Sequence, residues 1–195
     1  MSKFINSFKH VPLLLFRLNS GKSIKLREYS ARRSRSFDVL SEAGTVKAKA
    51  LTPSTYEAPN GASMRPLGEF QTALVENFKG SNVTVYAVPE GTQLPDDLIL
   101  VHEHTDHYSL QPAVDMPLSE LNEKITAFLR THGTTYSRDE WLATFQQDEP
   151  AYPEWVWSEE YQMHYYYDDK GNCVWETEVH QQQTGKSSKG KTKKR

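Results

Sequence analysis

Three short stretches of this 195-residue chain carry side chains whose types and spacing suit chemistry. The first is the apolar run Val11-Pro12-Leu13-Leu14-Leu15-Phe16, which closes on Arg17. A guanidinium on a rigid strand offers parallel N–H donors to a phosphate or carboxylate, although a strand-edge arginine needs no ligand to explain it. The second is Asn60-Gly61-Ala62-Ser63, where a turn dipeptide precedes a hydroxyl and the glycine lets loop amides approach a ligand closely. The third is His102-Glu103-His104-Thr105-Asp106-His107-Tyr108-Ser109-Leu110-Gln111. The imidazole of His107 suits a hydrogen-bond partner or a base toward an attacking hydroxyl. Ser63 and Gln111 can supply oxygen contacts to a cationic transition state, and Tyr108 a ring for stacking. His102, His104 and Asp106 share one face of an extended strand and could hold zinc, but no second element completes the shell, so no metal is assigned.

The elements that position these residues follow from periodicity and turn chemistry. Residues 1–10 read as a loose leader, 12–18 as a short buried strand ending at Asn19-Ser20-Gly21, and 23–27 as a second, alternating strand. Residues 46–51 suggest another short strand, and the Pro-, Ser-, Asn- and Gly-rich stretch from Thr52 to Pro66 a long loop. Pro66 to Phe78 predicts a helix with Phe70, Ala73, Leu74 and Phe78 on its apolar stripe. Val83–Val88, apolar on both faces, predicts a buried strand, and Leu98–Glu103 and His107–Gln111 two more. Met116–Thr131 is the strongest helical pattern, with Leu121, Ile125, Phe128 and Leu129 inward and Ser119 or Asp115 as its cap. Ser137-Arg138-Asp139-Glu140 opens a further helix with a capping box.

Trp155-Val156-Trp157, Met163–Tyr167 and Cys173-Val174-Trp175, separated by an acidic Gly turn, predict a small antiparallel meander. Its order of Trp155, Tyr165–Tyr167 and Trp175 is WW-like, the aromatic arrangement of proline-binding grooves, but the usual proline after the last tryptophan is missing; packing of the tyrosines is the favoured reading. The Gln-, Gly-, Ser- and Lys-rich end from residue 180 reads as a disordered basic tail.

Composition narrows the class. At 37% hydrophobic residues, part of the chain must be loop or tail. A single cysteine, Cys173, excludes an intramolecular disulfide framework and a thiolate metal cluster. The longest apolar run is too short to span a bilayer. The net charge of −2 hides a basic beginning and end around an acidic stretch from Asp139 to Glu178, without a strong nucleic-acid signal. The acid-poor, Arg- and Ser-rich N-terminus also resembles a mitochondrial transit peptide, but Pro12 interrupts its helix and a cytoplasmic protein is expected.

Leu15-Phe16-Arg17, Ala58-Pro59-Asn60-Gly61-Ala62-Ser63, and Leu94-Pro95-Asp96-Asp97-Leu98 followed by His107-Tyr108-Ser109-Leu110-Gln111-Pro112-Ala113 occur in an order that resembles one family. From about Leu13 to Leu129 the chain resembles the ADP-ribosyltransferase-like toxin domain of type VI secretion effectors, in its eukaryotic, mainly fungal, branch. The resemblance implies an α+β fold with a split, curved sheet and flanking helices, placed at residues 11–131; the residue patterns add a helical extension (132–149), the meander (150–179) and the tail (180–195). It implies NAD in a cleft between the sheet halves, with catalytic roles for Arg17, Ser63 and His107 and cofactor contacts from Asn60, Gly61, Tyr108 and Gln111. Glu103 and Gln111 are the candidates for the position of the acidic residue that many such enzymes direct at the ribose hydroxyl. The implied activity is ADP-ribosylation of an intracellular target of unknown identity, which admits a neutralising immunity protein as partner. The competing class is an inactive transferase-like protein that binds a peptide or nucleic acid.

Overall fold

The computed structural model describes residues 4–34, 36–80, 82–145, 156–159, 161, 163–167 and 173–175. The chain divides into two compact units, residues 1–146 and 147–195. The first unit is mixed α and β. It contains, in order, β1 (Asn6–Phe8), β2 (Leu15–Ser20), β3 (Ser41–Glu42), β4 (Thr45–Val46), β5 (Ala62–Met64), α1 (Glu69–Asn77), β6 (Val83–Val88), β7 (Leu98–His104), β8 (His107–Pro112), β9 (Met116–Pro117), α2 (Leu118–His132), β10 (Thr134–Tyr136) and α3 (Arg138–Phe145).

Two antiparallel sheets form the frame, one ordered β1-β7-β8-β5 and the other β10-β6-β2. They meet at a single bridge, where Phe16 and Arg65 exchange backbone hydrogen bonds of 2.7 and 3.0 Å. The main core lies against α2, whose Leu121, Ile125, Phe128 and Leu129 are buried as its 3.6-residue stripe requires. Leu15, Tyr86, Val88, Leu98, Leu100 and Leu110 meet them from the strands. A second cluster joins Phe16 and Val85 to Val75 of α1 and Trp141 of α3, with the Phe16 and Trp141 rings edge-on at 5.3 Å. A small third sheet, β3-β4-β9, leads into α2.

The supposed loose leader contains β1, paired with β7 from Asn6↔His102 to Phe8↔Leu100, and Val11 is fully buried, so residues 4–11 are part of the fold. Residues 23–27 do not pair as a strand in either sheet; their alternation is read out by α2, with the Ile24 and Leu26 N–H groups donating to Thr126 Oγ1 and Asn122 Oδ1 at 2.9 Å each. Residues 46–51 pass from β4 into a 3-10 turn at Lys49–Leu51. The loop from Thr52 hides β5, which is only three residues long but sits in register with β8. The capping residues proposed for α2 are not used: its N-cap is Pro117, and Asp115 accepts instead from the Ala48 N–H and the Lys47 ammonium. By contrast, the Ser137/Glu140 box is formed reciprocally, with bonds of 2.8 and 3.3 Å.

The helix expected over 66–78 is shorter, and its stripe is inverted. Gln71 and Val75 face inward, whereas Phe70 and Leu74 are 53% and 38% exposed. Val75 is the residue that fits the Phe16–Trp141 cluster, and this fixes the rotation of the helix. The described part of the expected helical extension (132–149) holds the strand β10 before the helix α3. β10 pairs with β6 and Trp141 is fully buried, which places both inside the first unit.

In the second unit β11 (Val156–Ser158), β12 (Met163–Tyr167) and β13 (Cys173–Trp175) form an antiparallel meander, with Tyr165 opposite both Val156 and Trp175. Trp155, the acidic Gly turn and the basic tail lie outside the described residues. Among the described residues no helix is long and apolar enough to cross a membrane.

Candidate active site at the split of the sheet

Beyond the Phe16↔Arg65 bridge, β2 and β5 diverge, and a cleft of about 360 Å³ opens between them. Arg17 of β2 reaches across it, and its Nη1 donates to the Ser63 carbonyl at 3.0 Å. Its Nε is buried with no partner. Burial lowers the pKa of this guanidinium and the neighbouring Arg27 adds to that, against the attraction of Asp38; the cation is poorly compensated. Lys25, Arg27 and Arg65 also line the cleft, so four cations face one carboxylate.

That carboxylate, Asp38, is held by Arg27. Oδ2 accepts from the Arg27 backbone N–H at 2.7 Å and Nε at 2.9 Å, and Oδ1 from Nη2 at 2.8 Å. Burial raises the Asp38 pKa, but the bonds from Arg27 and the charges of Arg27 and Arg17 outweigh it and keep the carboxyl below its ordinary value. Arg65 is anchored by Asp106 at 2.5 Å and lies 4.1 Å over the centre of the Phe70 ring. The lining therefore suits a ligand with more than one negative charge, and the volume falls in the range of ~300–1,000 Å³ common for small-molecule sites.

A second polar cluster lies on the neighbouring face of β8. Ser63 and Ser109 are directly opposite in register, and His107, Ser109 and Gln111 alternate onto the same face. At its centre is Glu103, which is 2% exposed. Its Oε1 accepts from Tyr56 OH, from Ser109 Oγ at 2.9 Å and from Gln111 Nε2 at 3.1 Å. His107 Nδ1 stands 2.7 Å from Oε2, an ion-pair distance whose direction departs from ideal hydrogen-bond alignment. Burial pushes the Glu103 carboxyl up, yet the bonds from His107, Tyr56 and Ser109 more than reverse this and hold it below the usual carboxylate value. Burial and the Glu103 charge raise the Tyr56 phenol well above its normal range, so it remains a donor.

The seven sequence candidates thus fall in different places. Arg17 and Ser63 meet in the cleft. His107 and Gln111 belong to the Glu103 cluster. Asn60 is fully buried, its amide donating to the Lys47 carbonyl at 2.8 Å and lying 3.4 Å from Gln111 Oε1, so it braces that cluster rather than facing a ligand. Gly61 does permit a close approach, but of β8: a Cβ there would lie 2.0 Å from the Leu110 carbonyl oxygen. Tyr108 points to the opposite face of β8, into the main core, stacked on His102 at 4.3 Å. His102 Nε2 engages the Thr105 carbonyl, and His104 stacks on His107.

Sequence reasoning missed Lys25, Arg27, Asp38, Arg65 and Tyr56. Arg65 comes beside Asp106 and His107 only through the pairing of Ser63 with Ser109, which the sequence did not show. Arg27 and Asp38 meet through irregular backbone, which has no periodic signature.

Fold and site together define a small α+β domain with a cleft lined by cations at the junction of two sheets. The sequence model of the Tse2 ADP-ribosyltransferase toxin family matches residues 13–141, and the chain belongs to that family. The match extends through β10 and into α3, consistent with their place in the first unit. No curated protein and no solved structure matches the chain.

Proposed function

We propose that this toxin-family protein uses NAD, bound in the cleft at the split of the sheet, to ADP-ribosylate an intracellular target. The observation that carries the reading is the excess of cations around the under-partnered Arg17 guanidinium, which matches the pyrophosphate of a dinucleotide. Arg17, assisted by Arg65 and Lys25, holds the diphosphate, and Ser63 places its hydroxyl near the ribose. When nicotinamide leaves, the ribose gains oxocarbenium character, which oxygen dipoles on fixed strands stabilise. His107, held against Glu103, takes the proton of the attacking hydroxyl at the adjoining face of β8. Asn60, Gly61 and Gln111 act indirectly by fixing β5 against β8 and Glu103 in its socket.

The split sheet is read as ADP-ribosyltransferase-like on the strength of the family and of the cleft's position. Placement in the eukaryotic, mainly fungal, branch, action in the cytoplasm, delivery by a type VI pathway and control by a neutralising immunity protein rest on the sequence resemblance. Inducible expression in yeast or bacteria tests the toxin reading. The wild-type chain is expected to arrest growth and Ser63→Ala to relieve the arrest at equal protein level. Unimpaired growth with the wild-type chain would favour a binding protein without enzymatic activity.

A further inference from the structure

The inverted stripe of α1 leaves an apolar groove formed by Phe70, Ala73, Leu74 and Phe78. Such stripes normally face a core, and this helix turns only Gln71 and Val75 inward, with the Gln71 side-chain nitrogen buried and unpartnered. The groove runs into the cationic cleft: Leu74 and Phe78 line both, and Arg65 lies over the Phe70 ring at their junction. Lys79 also lines the groove.

We propose that the α1 groove and the adjoining cleft form one docking surface for an acidic, amphipathic segment of a partner protein. Apolar side chains of that segment lie along Phe70 and Leu74, while its carboxylates reach the cations of the cleft and Lys79. Charge decides the occupant. A second copy of the same face would bring Arg65 and Lys79 toward their own kind, which costs rather than gains energy. An anionic membrane would match the sign and could reach the exposed Lys25, Arg27 and Lys79, but the two cations nearest the groove's junction with the cleft are recessed: the Arg65 side chain is 15% exposed and Arg17 is partly buried, within reach of a protruding carboxylate and not of a flat lipid surface. The surface stands independently of NAD use, because it rests on the groove and on charge alone.

Selection of a displayed random-peptide library on the full chain tests this, with the enriched peptide then synthesised and titrated. Enriched sequences are expected to combine Leu, Phe or Trp at helical spacing with Asp or Glu. Affinity should fall at least about tenfold with Phe70→Asp or Leu74→Ser, both at exposed positions, and weaken with added salt or inorganic pyrophosphate. Melting curves would establish that each variant is folded, and the second variant serves if the first is not. No enrichment, enrichment of peptides without acidic residues, or binding indifferent to both variants would overturn the proposal. So would stronger binding to phosphatidylserine vesicles than to any peptide, or a dimer of the wild-type chain that Phe70→Asp dissolves.

Discussion

Glu103 shows how much a single buried side chain is asked to do. Removing a carboxylate from water is unfavourable, and only the combined donors of His107, Tyr56, Ser109 and Gln111 keep it ionised. Its folded pKa lies below the ordinary value, so its contribution to stability is complete above the unfolded pKa and is lost as pH falls through the folded one. Glu103→Gln, which removes the charge at constant size, should cost about 2 kcal/mol near pH 7. Denaturant melts of the two proteins should converge as the pH is lowered into the range where the wild-type carboxyl protonates; a gap that stays constant down to acid pH would show that charge is not what the site requires. Arg17 is the converse case, a cation left under-partnered by its own fold, which is why the proposed function sets an anionic group against it.

Elements decide whether those residues meet. β5 is three residues long, yet it carries Ser63 into the cleft, and Gly61 just before it lies against Leu110, where a methyl group would strike the carbonyl oxygen. Gly61→Ala should therefore destabilise the first unit by about 3 kcal/mol or more, read as a lower midpoint in urea, by forcing β5 off β8. α3 fixes the other side of the split through Trp141, packed edge-on to Phe16 one residue before Arg17. Trp141→Ala should cost about 3–5 kcal/mol and loosen Arg17 as well. These elements also mark what was legible in the sequence. Long periodic segments were read well, as with α2 and the strands β6, β7 and β8, because each buries a stripe or both faces. The Ser137/Glu140 cap was readable because its chemistry is local. β1, β5 and β10 were not, since three residues carry no period and their pairing is set by distant strands. α1 misled for the opposite reason: its period was clear, but the face that meets the core was chosen by Val75 and the Phe16–Trp141 cluster. In the site, Arg17 and Ser63 could be found through their flanking sequence, while the Arg27–Asp38 clamp joins two irregular segments and has no signal in either.

At the scale of the whole molecule, a net charge of −2 coexists with a cleft lined by four cations, so the positive charge of the cleft is a local property. Inorganic pyrophosphate, titrated by calorimetry, should bind the wild-type chain several-fold more weakly as salt is raised, whereas a charge-neutral nucleoside should show no such dependence. Family membership, the junction of the two sheets and the buried, unpartnered Nε of Arg17 are the grounds of the central proposal, that the split in the sheet is where NAD is cleaved. Release of nicotinamide from NAD by the purified full chain tests it most directly. The expected result is release proportional to protein, at least about 100-fold slower in Arg17→Ala and partly restored in Arg17→Lys, with melting temperatures showing all three folded. No release above buffer, or an equal rate in Arg17→Ala, would contradict it.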